Sequence, residues 1–123
     1  MHGMRGLTIV VAQAAPERFR TALSICAANA ALGGRSRIFL ESAAVALLRT
    51  PIHAPDDEAH AAAGLPRLAT LLDEAIGLGV EVIACQTGLQ LTGADARDLH
   101  PAAAFGGLVS LLQGLGEDRL TIA

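Results

Sequence analysis

The chain has 123 residues and a formal net charge of −3, and its pI near 5.7 leaves no basic stripe of the kind nucleic acid requires. No apolar run approaches the roughly 18 residues of a membrane span, and the N-terminus lacks the charged and apolar regions of a signal peptide, so a cytoplasmic protein is expected. Hydrophobic residues make up 52%, yet there are three Phe and no Trp or Tyr. One domain over residues 1–123 is therefore expected, with a core of aliphatic side chains and alanines. Such a short apolar chain leaves surface patches that mark interfaces, which predicts a homo-oligomer.

Residues 1–6 read as a frayed lead-in. Leu7 to Ala12 is a near-continuous apolar run of strand length, and Pro16 with Glu17 marks the first turn of a helix. Phe19, Leu23, Cys26, Ala27 and Ala30 recur at intervals of three and four, and Gly33-Gly34 closes that helix. Cys26 thus falls on a buried stripe with no cation beside it, which predicts an inert thiol. Arg37 to Glu41 returns as a second strand, and a strand, helix and strand this close form a parallel right-handed crossover. Ser42 is placed to cap a short helix reaching Leu48.

The segment from Arg49 to Leu65 is irregular and carries Pro51, His53, Pro55, Asp56-Asp57-Glu58 and His60. Asp56 and His60 share a helical face, but these groups are not anchored on two rigid elements as metal sites are. A solvated loop with an acidic helix start is expected, and no metal. Pro66 then opens an amphipathic helix with Leu68, Leu71, Leu72, Ala75 and Ile76 on one stripe, ending at Gly77 to Gly79. A buried strand follows from Val80 to Ala84. Asp95 is placed to cap a short turn, and Phe105, Leu108, Val109 and Leu112 form one apolar face of a last helix that starts at Gly106-Gly107. Gly114 and Gly116 stop it, and Leu120 and Ile122 alternate in a terminal strand. Strand and helix alternate throughout, which predicts an α/β fold with a mostly parallel sheet of about five strands and helices on both faces.

Cys85 stands where the strand from Val80 runs out, followed by Gln86, Thr87 and Gly88. A thiol there lies at the carboxyl edge of the sheet, where open α/β folds bind ligands, and faces the amides of the next segment, which favour the thiolate form. Glu41 and Ser42 reach the same edge. Gln86, Thr87, Gly88, Glu41 and Ser42 are the candidate binding residues. His100, Arg97 and Thr87 are candidates for stabilising a sulfur anion, with His100 first because it carries charge near neutral pH. No Walker loop, dinucleotide fingerprint or serine triad is present, so no cofactor is expected.

The last third of the chain, Gly-Val-Glu-Val-Ile-Ala-Cys ending at Cys85, then a Gly-ended turn, Asp-Leu, and Phe105-Gly106-Gly107 before an amphipathic helix and closing strand, resembles the DsrE family of small sulfur-relay proteins. The likeness extends more weakly to the first strand and helix and to Ile38 through Leu48. It implies a three-layer Rossmann-like fold, assembly into trimers or hexamers, and a sulfur carrier or sulfurtransferase that holds sulfane sulfur as a persulfide on the residue matched by Cys85. A sulfur-carrier or rhodanese-like protein is the partner it implies. The alternative from a different class is a non-catalytic oligomeric module that binds a small ligand in the same sheet-edge crevice.

Overall fold

The computed structural model describes residues 4–123, so residues 1–3 of the expected lead-in lie outside it. Five strands, β1 (Leu7–Val11), β2 (Ser36–Leu40), β3 (Glu81–Cys85), β4 (Ala104–Gly106) and β5 (Arg119–Ile122), form one sheet in the order β4-β3-β2-β1-β5. Every pairing is parallel. The helices are α1 (Pro16–Ala31), α2 (Asp57–Ala62), α3 (Leu68–Gly77), α4 (Gln86–Leu91) and α5 (Leu108–Gln113), with a 3-10 segment at Ser42–Leu48.

The connections follow from handedness. From β1 to β4 the chain steps across the sheet in one direction, so right-handed crossovers put α1, α3 and α4 on one face. The return from β4 to β5, at the far edge, puts α5 on the other. This is the parallel sheet with helices on both faces that the alternation of elements predicts, and the three-layer Rossmann-like arrangement that the family resemblance implies.

The two faces are filled unequally. On the first, the pleat directs Ile9, Val11, Ile38, Leu40, Val82 and Ala84 towards α1 and α3, which pack on each other, and all six are buried. Phe19, Leu23, Leu68 and Leu72 meet them with no exposed surface, and burial of each such side chain contributes about 1.5–3 kcal/mol. On the second face Val10, Phe39 and Ile83 are buried, but α5 has only six residues and buries only Leu111.

Several elements differ from expectation. The largest change is at Ala104–Gly106, which is a strand rather than the start of a helix, and pairs with β3 through Ala84↔Phe105 and Cys85↔Gly106. Its side-chain pattern is too short to show a strand period, and pairing decided it. The expected inward face of the last helix is in fact outward: Phe105, Leu108, Val109 and Leu112 are all exposed, Val109 to 72%. Ser42 is not a cap but the first residue of the 3-10 segment, with Glu41 as its N-cap, and it holds a left-handed φ of 54°.

The segment from Arg49 to Leu65 is not simply a solvated loop. Asp57 is buried, and it accepts hydrogen bonds from the backbone N–H of Ala54 at 2.8 Å and Leu68 at 2.9 Å and from Arg20 Nη2 at 2.7 Å. Burial alone would push this carboxyl up. The amides of Leu68 and Ala54, with Arg20 and Arg67, outweigh it and hold the group below the usual carboxylate range. The Arg20 guanidinium also donates to Pro66 O at 2.7 Å, so one side chain ties α1 to the start of α2 and to the segment that leads into α3. His60 Nδ1 lies 2.9 Å from the Asp56 carbonyl oxygen, and no cluster of three or more metal-ligating side chains exists among the described residues.

Candidate functional site

Two adjacent parallel strands whose connections leave over opposite faces open a crevice between their carboxyl ends. β3 and β4 are such a pair: β3 runs directly into α4 on one face, and β4 runs through Gly107 into α5 on the other. Cys85 is the last residue of β3 and pairs with Gly106, so it sits at that divergence. By the alternation of the strand its side chain shares a face with Ile83, the face that carries α5.

The crevice is a groove of about 400 Å³ lined by Glu41, Cys85, Gln86, Thr87 and the stretch from Gly106 to Ser110. Cys85 lies at its floor with 4% of its surface exposed. It is the N-cap residue of α4, yet its side chain makes no cap hydrogen bond. The expectation that the sulfur faces the amides of the next segment is therefore corrected. Sγ turns instead to Glu41, donating to Oε1 at 4.0 Å.

The geometry around Glu41 is built by three neighbours. Its backbone N–H donates to Val11 O at 3.0 Å, which extends the sheet by one residue beyond β2. Ser42 then turns the chain through a left-handed conformation that side chains rarely adopt. Gly88 allows α4 to lie on that turn: a Cβ there would stand 2.1 Å from Ser42 O and 2.6 Å from Val45 Cγ2. The required glycine is thus Gly88. At Gly107 a Cβ would meet nothing within 4 Å, so that residue borders open space.

The structure brings together Cys85, Glu41, Gln86 and Thr87 from the expected set; Gly88 and Ser42 shape the wall without lining the groove. His100 does not join them. Its Nε2 is 2.8 Å from Asp73 Oδ1 on α3, and its Nδ1 accepts from Ala102 N–H at 3.1 Å, which places the proton on Nε2 and leaves neither nitrogen free. The imidazole pins the turn that leads into β4. Arg97 is exposed and paired with Asp95 at 3.3 Å, where Asp95 caps a short 3-10 turn as expected. Leu108, Val109 and Ser110 also line the groove; the Phe-Gly-Gly pattern just before them is the signal in sequence, and its apolar spacing reads as a helix start rather than a strand.

Cys26 contrasts with this site. It has no exposed surface, its Sγ contacts the Arg37 carbonyl oxygen at 3.8 Å, and burial pushes its thiol up to about 12. That agrees with an inert core thiol.

The whole fold matches solved structures. The ychN protein from E. coli superposes with a TM-score of 0.75 at 22% identity, covering 98% of this chain and 100% of that one. MTH1491 from Methanobacterium thermoautotrophicum, a protein of unknown function, superposes with a TM-score of 0.71 at 16% identity, covering 97% of this chain and 99% of that one. No protein-family model matches the chain, and no curated protein does.

Proposed function

We propose that the chain is a DsrE-type sulfur carrier that takes up sulfane sulfur on Cys85. The observation that carries this reading is the position of Cys85 at the divergence of β3 and β4, on the floor of an open groove. The sequence likeness from Gly79 to Ala123 supports it. The reaction is thiol exchange: Cys85 sulfur bonds to the outer sulfur of a persulfide, the sulfur–sulfur bond of the donor breaks, and the departing thiolate takes the electron pair and the thiol proton. A Cys85 persulfide and a donor thiol result, with no net oxidation. A later exchange with an acceptor thiolate passes the sulfur on. A homo-oligomer and a thiol-bearing protein partner belong to the same reading, supported by the exposed Phe105, Leu108, Val109 and Leu112 beside the groove.

The test is incubation with cysteamine persulfide followed by intact-mass and peptide analysis. One added sulfur on Cys85, absent in Cys85→Ser, is expected. Added sulfur only on Cys26, or on neither thiol, overturns the proposal and favours a ligand-binding module.

A further inference from the structure

We infer that Glu41 makes the Cys85 groove selective by charge, admitting neutral or cationic carriers of sulfane sulfur and rejecting oxyanions and other anionic donors. The inference rests on the carrier reading and narrows its substrate class.

Among the described residues that line the groove Glu41 is the only charged one. It stands 4.0 Å from Sγ, so a donor whose reacting sulfur approaches Cys85 brings its other substituents within a few ångströms of the carboxylate. No cation among the described residues offsets it there. Arg37 borders the adjoining cleft on the same face, together with Ser110 and Gly106. Its guanidinium is directed elsewhere, donating to Thr8 Oγ1 at 3.2 Å and Gly114 O at 3.4 Å, with Asp118 Oδ2 at 3.8 Å. Arg97, near in sequence, is paired with Asp95, and His100 is bonded to Asp73, both outside the groove. A unit charge at this distance changes the occupancy of a neighbouring charge between about fivefold and several hundredfold, according to screening. Thiosulfate and carboxylate-bearing persulfides are therefore disfavoured. A sulfane sulfur presented beside an ammonium or guanidinium group is favoured. In the favoured case the exchange is Cys85 thiol plus R–S–SH giving Cys85 persulfide plus R–SH, with R uncharged or positive.

The test compares two methanethiosulfonates of similar size, the cationic aminoethyl and the anionic sulfonatoethyl reagents. Each forms a mixed disulfide with Cys85 and releases methanesulfinate. Modification of Cys85 is followed by peptide mass, and each rate is divided by that of the same reagent with a small neutral thiol. The expected cationic-to-anionic ratio is about tenfold or more at low salt, shrinking in 1 M salt, where the Debye length of about 3 Å is shorter than the contact. Glu41→Gln, which keeps the shape and the hydrogen-bond acceptor, brings the ratio to about one, whereas Glu41→Asp retains a preference. Because the ratio is taken on one preparation, any change in access or folding affects both reagents alike. A native ratio near one, or a preference that survives Glu41→Gln, overturns the inference even if cysteamine persulfide loads Cys85. A Glu41-dependent preference without persulfide loading overturns the carrier reading instead.

Discussion

Cys26 and Cys85 expose almost the same surface, 0% and 4%, and differ in nearly everything else. Cys26 lies mid-way along α1 against β2, inside the thick layer formed with α3, where ionisation is opposed by burial and nothing compensates. Cys85 lies at the end of a strand, under the thin layer formed by α5, with open groove on one side and a carboxylate on the other. Burial as a fraction does not separate a thiol sealed in the core from one that lines a groove; what covers it and the groups it faces do.

The most direct way to break this comparison is alkylation of the folded protein with a small neutral reagent. Cys85 is expected to react from the native state, whereas Cys26 reacts only through unfolding and so is slower by roughly a thousandfold or more. Equal rates at the two thiols would show that the sheet edge offers no special access.

Asp57→Asn sharpens the contrast from the interior side. It leaves Arg20, whose side chain is 10% exposed, with only the longer 3.8 Å pairing to Asp56, and breaking a buried pair of this kind costs about 3–5 kcal/mol. A urea titration reads the loss. Cys26 labelling is expected to rise by roughly a hundredfold or more as unfolding becomes more frequent, while Cys85 labelling barely changes. The pH dependence has a defined sign. The Asp57 carboxyl is depressed in the folded state, so its contribution is complete above the ordinary unfolded value of about 3.9 and disappears as pH falls through the lower folded value. Acid titrations of the parent and of Asp57→Asn should therefore converge below about pH 4.

Gly88→Ala acts at the opposite region with a smaller effect. The added methyl meets the Ser42 carbonyl oxygen, and relief requires α4 to lift from the 42–48 turn, at about 1–3 kcal/mol. That movement shifts Cys85 relative to Glu41, so the Cys85 alkylation rate is expected to change more than the stability loss explains. A variant with unaltered Cys85 reactivity would show that Gly88 serves packing alone.

Much of this architecture was legible from local pattern. The apolar run at Leu7, the stripe on α1 with Cys26 inside it, the amphipathic helix from Leu68 and the Ala-Cys end of β3 are each set by neighbours within a few residues, and the alternation of strand and helix leaves few topologies open. What the pattern could not supply was the partner across space. Three residues at Ala104–Gly106 carry no measurable period, and they become a strand because β3 has an unfilled edge; that pairing alone makes the groove beside Cys85 and turns Leu108 and Val109 outward. His100 was assigned by its chemistry, but Asp73, 27 residues earlier, binds it away from the sulfur. The parallel sheet read from sequence already puts Glu41 and Cys85, 44 residues apart, at one edge; the parallel register of β2 with β3 is what brings the carboxylate to 4.0 Å from the sulfur. Local sequence determines which elements form because helix and strand periods are short-range; which side chains meet at a sheet edge depends on strand order and register, and those are decided by packing over the whole chain.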